Sequence, residues 1–391
     1  MSKKKKYMTR TVHAFLDVDE DTYSRIISTR DAYAEIFNTH TQWAKDNHST
    51  SSKKAHEQLY EKLRSDNPNL PSAMIQCARN HAFGAMKSYN SNNPKKKWSK
   101  DLVYTASSMN YDRRTVSLNT LGVMTFSLYG GKRGKAHVNL PQFFTDRYGS
   151  WEFNSATIGI DKNGKAFANL SYRKSITQKK TNGKIVGVDR GIYNVASTSS
   201  GKNFSSKKIR GRKRQLEYNE SRLKAKVASG SRSAKRRLNA QKGKNARFSK
   251  NQLDIITKKL ANVDDVSTYV LEDLTGLYQQ RKSKNFNRLK NTWSPSRFEF
   301  MLKYKCEEKG IKVVKVDPKY TSQMCSSCGQ VEKKNRKGSI YKCCHCGYTN
   351  HADINAALNI RDKYISTLPA TSSVEQGASQ SPSDALTLIS D

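Results

Sequence analysis

Residues 183–205, GKIVGVDRGIYNVASTSSGKNFS, decide the fold. Ile185 to Val188 is a short apolar run ending in Asp189. Gly191 turns the chain, Tyr193 to Ser197 reads as a second strand, and Gly201 with Phe204 marks a third. This is a meander with a carboxylate at the end of its first strand. Further on, Val266 to Leu271 is another apolar strand, ending in Glu272 and Asp273. Phe298, Met301, Leu302 and Lys305 then recur at helical spacing, Gly310 closes that helix, and Lys312 to Val316 is one more strand. Strand, helix and strand in that order imply an α/β layer.

Between the meander and the Val266 strand lies a strongly basic stretch. Lys202 to Lys250 holds 18 lysines and arginines against two glutamates. A solvated basic linker would have that charge. So would a pair of long helices laid along a phosphate backbone, each neutralised phosphate releasing counterions. Helix formers dominate and proline is absent, which favours helices. The bias extends to the whole chain of 391 residues, with 71 Lys+Arg against 33 Asp+Glu and a formal charge of +38. Such a surface repels itself unless a polyanion neutralises it, so an ordinary small-molecule enzyme is excluded as the first reading and nucleic acid is the expected partner. The length corresponds to roughly two to three domains. Nineteen tyrosines, 13 phenylalanines and four tryptophans are enough for several packed cores. No run of about 18 apolar residues is present, so no membrane span is expected. The lysine cluster Met1–Lys6 has no apolar stretch behind it, so no secretory signal is expected and the expected location is the cytoplasm.

The first third reads as a mixed module. Thr11 to Val18 alternates like a strand, Asp19 to Asp21 offers caps for a helix running to about Asp46, and helices follow at about Lys54–Arg64 and after Pro71. From Val116 the period changes to two, and Asn163-Gly164 forms a hairpin turn between Thr157–Ile160 and Phe167–Tyr172. Residues 366–391, rich in Ser, Thr, Ala and Pro, read as a disordered tail.

Five of the seven cysteines fall between Cys325 and Cys346. Cys325 with Cys328, and Cys343 with Cys346, form two CxxC knuckles, each followed by glycine, with room between them for a β-hairpin. CxxC places two sulfurs on one tight turn, and four thiolates suit a single tetrahedral Zn²⁺. Four protein ligands leave no open position, so this ion is expected to be structural. Cys344 and His345 are spare donors without a role.

Asp189, Glu272 and Asp353 are far apart in sequence, and each alone has a plain explanation: a solvated strand end, or a helix cap in the case of Asp353. Their setting alters that. Two end strands of one layer and the third opens a closing helix, so the layer can bring them to one sheet edge. An all-oxygen set of net charge about −3 suits Mg²⁺ rather than zinc. Two such ions about 4 Å apart stabilise both attacking and leaving oxygens when a phosphodiester is hydrolysed.

IVGVDRG (185–191), VLEDLTGL (270–277), VDPKYTSQMCSSCG (316–329), YKCCHCGY (341–348) and ADINAALNI (352–360), in that order, closely resemble TnpB, a family of RNA-guided DNA endonucleases encoded by insertion sequences and related to miniature type V CRISPR effectors. The resemblance covers about residues 183–361; before that it rests on element order and on LPSAMIQCARNHAFGAMKSY (70–89). It implies a multidomain α/β protein. A RuvC nuclease domain of RNase H-like fold spans 183–320 with a basic helical insertion at 202–262 and a final segment at 351–365. A zinc ribbon occupies 321–350. A β-barrel-like wedge comprises 1–18 and 102–180, with a helical recognition insertion at 19–101. The three RuvC acids map onto Asp189, Glu272 and Asp353. Arg336 matches an arginine of the zinc-ribbon loop that holds the substrate strand, and Ala352 stands where many members carry arginine. The implied partners are a guide RNA from the transposon end and double-stranded target DNA, in a monomeric ribonucleoprotein. The same resemblance extends to repressors that have lost acidic residues and to CRISPR effectors of the same chemistry; the intact acids favour cleavage.

Overall fold

The computed structural model describes residues 7–104, 108–176, 179–275 and 295–369. The tail beyond residue 369 and the Met1–Lys6 lysines lie outside the described residues. The chain divides into two units, Met1–Ser175 and Ile176–Asp391.

In the first unit, β1 (Tyr7–Asp17) alternates, with Met8, Val12, Ala14 and Leu16 buried. Asp19 caps α1 (Glu20–Asp46) by accepting from the Thr22 N–H. α2 (Ser52–Asp66) starts at Ser51, whose side chain accepts from the Lys54 N–H, and α3 (Ser72–Asn92) follows Pro71. Phe37, Trp43, Ala44, Ala82, Phe83 and Met86 form the core between these helices. The strands β2 (Ser108–Tyr111), β3 (Val116–Leu118), β4 (Val123–Ser127) and β5 (Arg133–Val138) come next, then α4 (Gln142–Tyr148), β6 (Glu152–Ile160) and β7 (Ala166–Ser175). The hairpin around Gly164 is longer than its sequence pattern indicated: β6 and β7 pair from Ile160↔Ala166 to Glu152↔Arg173.

These strands make one seven-stranded sheet, in the order β2-β6-β7-β1-β5-β4-β3. A flat sheet of that width would hold its outer strands about 29 Å apart, at about 4.8 Å per strand. Yet β2 and β3, at opposite edges, are joined by only Asp112–Thr115, and such a segment reaches at most roughly 18 Å. The sheet is therefore curled.

The second unit begins with β8 (Lys184–Asp189), β9 (Asn194–Thr198) and β10 (Asn203–Ser205). The basic stretch is helical, as its composition suggested, but as three helices rather than two: α5 (Lys207–Ala228), α6 (Arg232–Gln241) and α7 (Lys244–Ala261). Gly230 and Gly243, both with positive φ, lie in the breaks. β11 (Val266–Glu272), α8 (Pro295–Glu308) and β12 (Lys312–Val316) complete a five-stranded sheet ordered β10-β9-β8-β11-β12. β11 runs parallel to both β8 and β12, whereas β9 returns antiparallel to β8. Every residue of β11 is buried, as expected for a parallel strand covered on both faces. Val186, Val188, Tyr269 and Leu271 face Leu253 and Leu260 of α7 and Phe298 and Leu302 of α8.

A three-stranded sheet of β13 (Arg336–Lys337), β14 (Ile340–Lys342) and β15 (Thr349–His351) follows, and the last helix, α9 (Ala352–Ile365), starts where β15 ends. α9 lies against the other face of β8. A Cβ on Gly187 would sit 2.0 Å from the Ala357 carbonyl oxygen and 2.7 Å from the Arg361 nitrogen, so only glycine permits this approach. No helix among the described residues is long and apolar enough to cross a membrane.

Candidate functional site

Asp189 is the last residue of β8 and Glu272 the last of β11. The parallel register pairs Val188 with Leu271, so the two acids leave the same sheet edge side by side. Asp353 stands in the first turn of α9, the helix that the Gly187 contact places over β8. The cap of α9 is His351, whose side chain accepts from the Asp353 N–H, so Asp353 itself does not cap the helix. Its carboxylate is free to accept from Asn194 Nδ2 at 2.9 Å and Arg336 Nη2 at 2.8 Å.

The three charges interact. Burial, and then the neighbouring carboxylates of Glu272 and Asp353, push the Asp189 carboxyl well above its usual range, against the pull of Arg336. Burial also raises Glu272, opposed by its hydrogen bond from Thr321 and by Arg190. Among the described residues, the one set of three or more metal-type side chains whose ligand atoms all lie within 4.8 Å of one another is the cysteine quartet, so the acids gather without converging that tightly. A pair of ions about 4 Å apart requires donors on both sides of it rather than around one point, and the hard oxygen set fits such ions.

A hydroxyl and a buried guanidinium support the acids. Thr321 Oγ1 donates to Glu272 Oε1. Arg190, almost fully buried, donates to the Glu272 carbonyl, to the Pro295 carbonyl at 3.1 Å and to Glu299 Oε2 at 3.4 Å, bracing the end of β11 against the start of α8. Sequence reading missed Asn194, Thr321 and Arg190. They sit inside the motifs quoted above, but their residue types carry no signal of their own.

Cys325, Cys328, Cys343 and Cys346 come together as their spacing required. Cys325 Sγ is 3.7 Å from Cys346 Sγ, and Cys328 Sγ is 3.7 Å from Cys343 Sγ. A disulfide would need about 2.05 Å. Four thiolates held about 2.3 Å from one tetrahedral ion stand about 3.8 Å apart, so the quartet fits a metal of zinc's size. Gly329 and Gly347, at φ +76° and +72°, turn the backbone beneath each knuckle. Two buried asparagines of α9 tie the first knuckle to the helix that bears Asp353. Asn355 Oδ1 accepts from the Ser326 N–H at 3.0 Å, and Asn359 Nδ2 donates to the Thr321 and Met324 carbonyls.

A multidomain α/β protein with an acidic edge on a mixed sheet and a four-cysteine cluster beside it is what the fold and site define. Residues 296–360 match the family described as the Cas12f1-like TNB domain. A CRISPR-associated endodeoxyribonuclease Cas12f1 of Sulfoacidibacillus thermotolerans is 31% identical over 58% of this chain and 58% of its own length. A TnpB-like protein of Aquifex aeolicus is 29% identical over 53% of this chain and 77% of its own. The cryo-EM structure of a Cas12f1–sgRNA–target DNA complex superimposes with a TM-score of 0.64 at 13% identity, covering 91% of this chain and 99% of that one. The chain is thus similar to TnpB-like proteins and Cas12f1 effectors in sequence and to a Cas12f1 effector in fold, as its motifs implied. It spans 58% of the length of that Cas12f1, 48% of a Cas12f1 of Syntrophomonas palmitatica and 24% of one from an uncultured archaeon.

Proposed function

We propose that the protein is an RNA-guided, Mg²⁺-dependent DNA endonuclease of RuvC type, with Asp189, Glu272 and Asp353 as its metal ligands. The observation that carries this reading is the acidic edge itself. Burial and the carboxylates of Glu272 and Asp353, which come from distant segments, raise the proton affinity of Asp189, an electrostatic deficit that hard divalent cations relieve. Two Mg²⁺ ions bound there would activate water and stabilise both oxygens of a scissile phosphodiester. The chain's own residues do the rest. Asn194 orients Asp353, Thr321 orients Glu272, and Arg190 fixes the strand end beneath them. Arg336, paired with Asp353, stands at the same edge, where a guanidinium can hold a phosphate of the strand being cut.

In this reading the curled sheet of residues 1–18 and 102–180 and the helices of 19–101 bind the guide RNA and read a short flanking motif. Base pairing with the guide then supplies sequence specificity. The segment 183–320 with 351–365 is the RuvC domain, and 321–350 is a zinc ribbon in which one structural Zn²⁺ is held by Cys325, Cys328, Cys343 and Cys346. The guide is drawn from the transposon end, and sequencing RNA that copurifies with the chain tests its origin.

The deciding experiment incubates the RNA-loaded protein with a plasmid bearing a guide-matched target beside a randomised flank, in Mg²⁺ and in EDTA. Cleavage should require Mg²⁺ and fall at least about a hundredfold in Asp189→Ala, since each tenfold corresponds to about 1.4 kcal/mol of lost transition-state stabilisation. Unchanged cleavage in Asp189→Ala would overturn the site. Guide-dependent binding without any product would make the protein an RNA-guided repressor.

A further inference from the structure

A large aromatic ring stands exposed in the loop that follows Asp189, on a backbone anchored by hydrogen bonds. Tyr193 lies in the loop from Asp189 to β9, one residue before the Asn194 that holds Asp353, and it is 64% exposed. Isolated exposed apolar groups call for no explanation, but this one is anchored. The Gly191 N–H donates to the Asn194 carbonyl at 2.9 Å, closing the turn. The Tyr193 carbonyl accepts from the Ser206 N–H at 2.9 Å and lies 2.8 Å from the Ser206 hydroxyl, which also reaches the Ile192 carbonyl. Ser206 opens α5, so the loop is bonded to the first turn of that helix.

One face of the ring is already occupied. The Arg210 guanidinium carbon is 4.6 Å from the ring centroid, and its Nε donates to Ser206 Oγ at 2.9 Å. Among the described residues Arg210 makes no ion pair, so its charge is available to a phosphate. A pre-set ring with a cation behind it and an open face beside it matches what a nucleobase with its backbone needs: stacking, which every base can provide, and a neighbouring positive charge.

We propose that Tyr193 and Arg210 form a nucleobase-stacking subsite that holds the single-stranded DNA nucleotide next to the scissile phosphate. Asn194 links the ring to Asp353, so a base stacked there fixes the position of the strand against the acids. Tyr193 is a substrate-positioning residue, not a donor of protons or metal ligands. The inference rests on the nuclease reading for its meaning, but it can be measured without cleavage.

The test places 2-aminopurine, whose fluorescence is quenched on stacking, at successive positions around the cut in a guide-matched target bound to the RNA-loaded full chain. One position should be quenched in the natural protein, released in Tyr193→Ala, and still quenched in Tyr193→Phe and Tyr193→Trp. With single-stranded DNA as substrate, Tyr193→Ala should raise KM roughly 5- to 150-fold with a smaller change in kcat, the range for losing one stacked base. Tyr218→Ala is the control. That ring is equally exposed beside Arg222 on the same α5, but it lies two turns beyond Arg210. It should leave the quenched position unchanged. Absence of quenching in the natural protein, equal quenching in Tyr193→Ala, or Phe and Trp variants as weak as Ala would each overturn the subsite. Tyr193-dependent quenching without Mg²⁺-dependent product would leave the subsite standing and defeat the nuclease reading. Cleavage that needs Asp189 but ignores Tyr193 would do the reverse.

Discussion

At Gly187 one missing methyl group sets the distance between the sheet and α9, and with it the height of Asp353 above Asp189. The nearest atoms to an added Cβ are backbone, which cannot rotate aside, so α9 itself must move. Overpacking of this kind costs about 3 kcal/mol, and in a unit of this size each kcal/mol lowers Tm by about 2–4 °C. Gly187→Ala should therefore melt roughly 6–12 °C lower in a thermal scan and lose metal-dependent cleavage before it loses RNA binding. An unshifted melting curve would mean that α9 sits farther from β8 than described. Asp189 and Glu272 were legible in the sequence because a charged residue ending an apolar run is conspicuous; Asp353 was legible only as the acid opening the last helix. Their supports were not. Asn194, Thr321 and Asn359 are common residue types whose roles exist only through closeness in space, which no local pattern records. Arg190 was missed for a related reason: an arginine after a strand reads as solvated, and only the tertiary fold buries it.

Among the elements, α5 and α6 bury almost nothing of their own; Ile209 and Ala234 are the residues they bury. A cleft of about 400 Å³ between them is lined by Arg222, Lys226, Arg237 and Lys244 together with Asn219 and Leu223. Helices that give so little to the core leave their basic faces exposed, and in the proposed function these cations would meet the phosphates of the guide. Replacing Arg222 and Arg237 with glutamine should weaken guide RNA binding and lower the slope of log affinity against log salt by about one for each lost phosphate contact. A filter-binding titration across salt concentrations reads this directly, and an unchanged slope would remove the cleft from the interface. The helical state was readable from composition, but its division into three was not. The breaks fall at Gly230 and Gly243, where lone glycines in a basic run give no clear stop signal. α4 escaped notice because seven residues after Pro141 carry too few turns for a periodicity to appear.

Over the whole molecule, an α/β layer followed from strand–helix–strand logic, whereas the order of β8, β11 and β12 and the curl of the first sheet needed pairings between strands distant in sequence. The cysteine cluster belongs at this scale as well, because Asn355 and Asn359 bind its first knuckle to α9. Thiol modification in the presence of a chromogenic chelator should release about one zinc per chain from the natural protein and none from Cys343→Ser. Structural zinc contributes on the order of 10 kcal/mol to folding of small modules, so the variant should also melt earlier and cut poorly. Asp189→Ala should keep its zinc. Loss of zinc with full cleavage retained would show that the two centres are independent.

β15 passes into α9 without a spacer: His351 ends the one and caps the other. Anyone grafting the cysteine module of a relative onto this chain thus meets a constraint on where to splice. A junction at residue 351 would set a foreign strand directly against the turn that aims the third acid, whereas a junction past Ile365 would transplant module, turn and acid as a single rigid cassette.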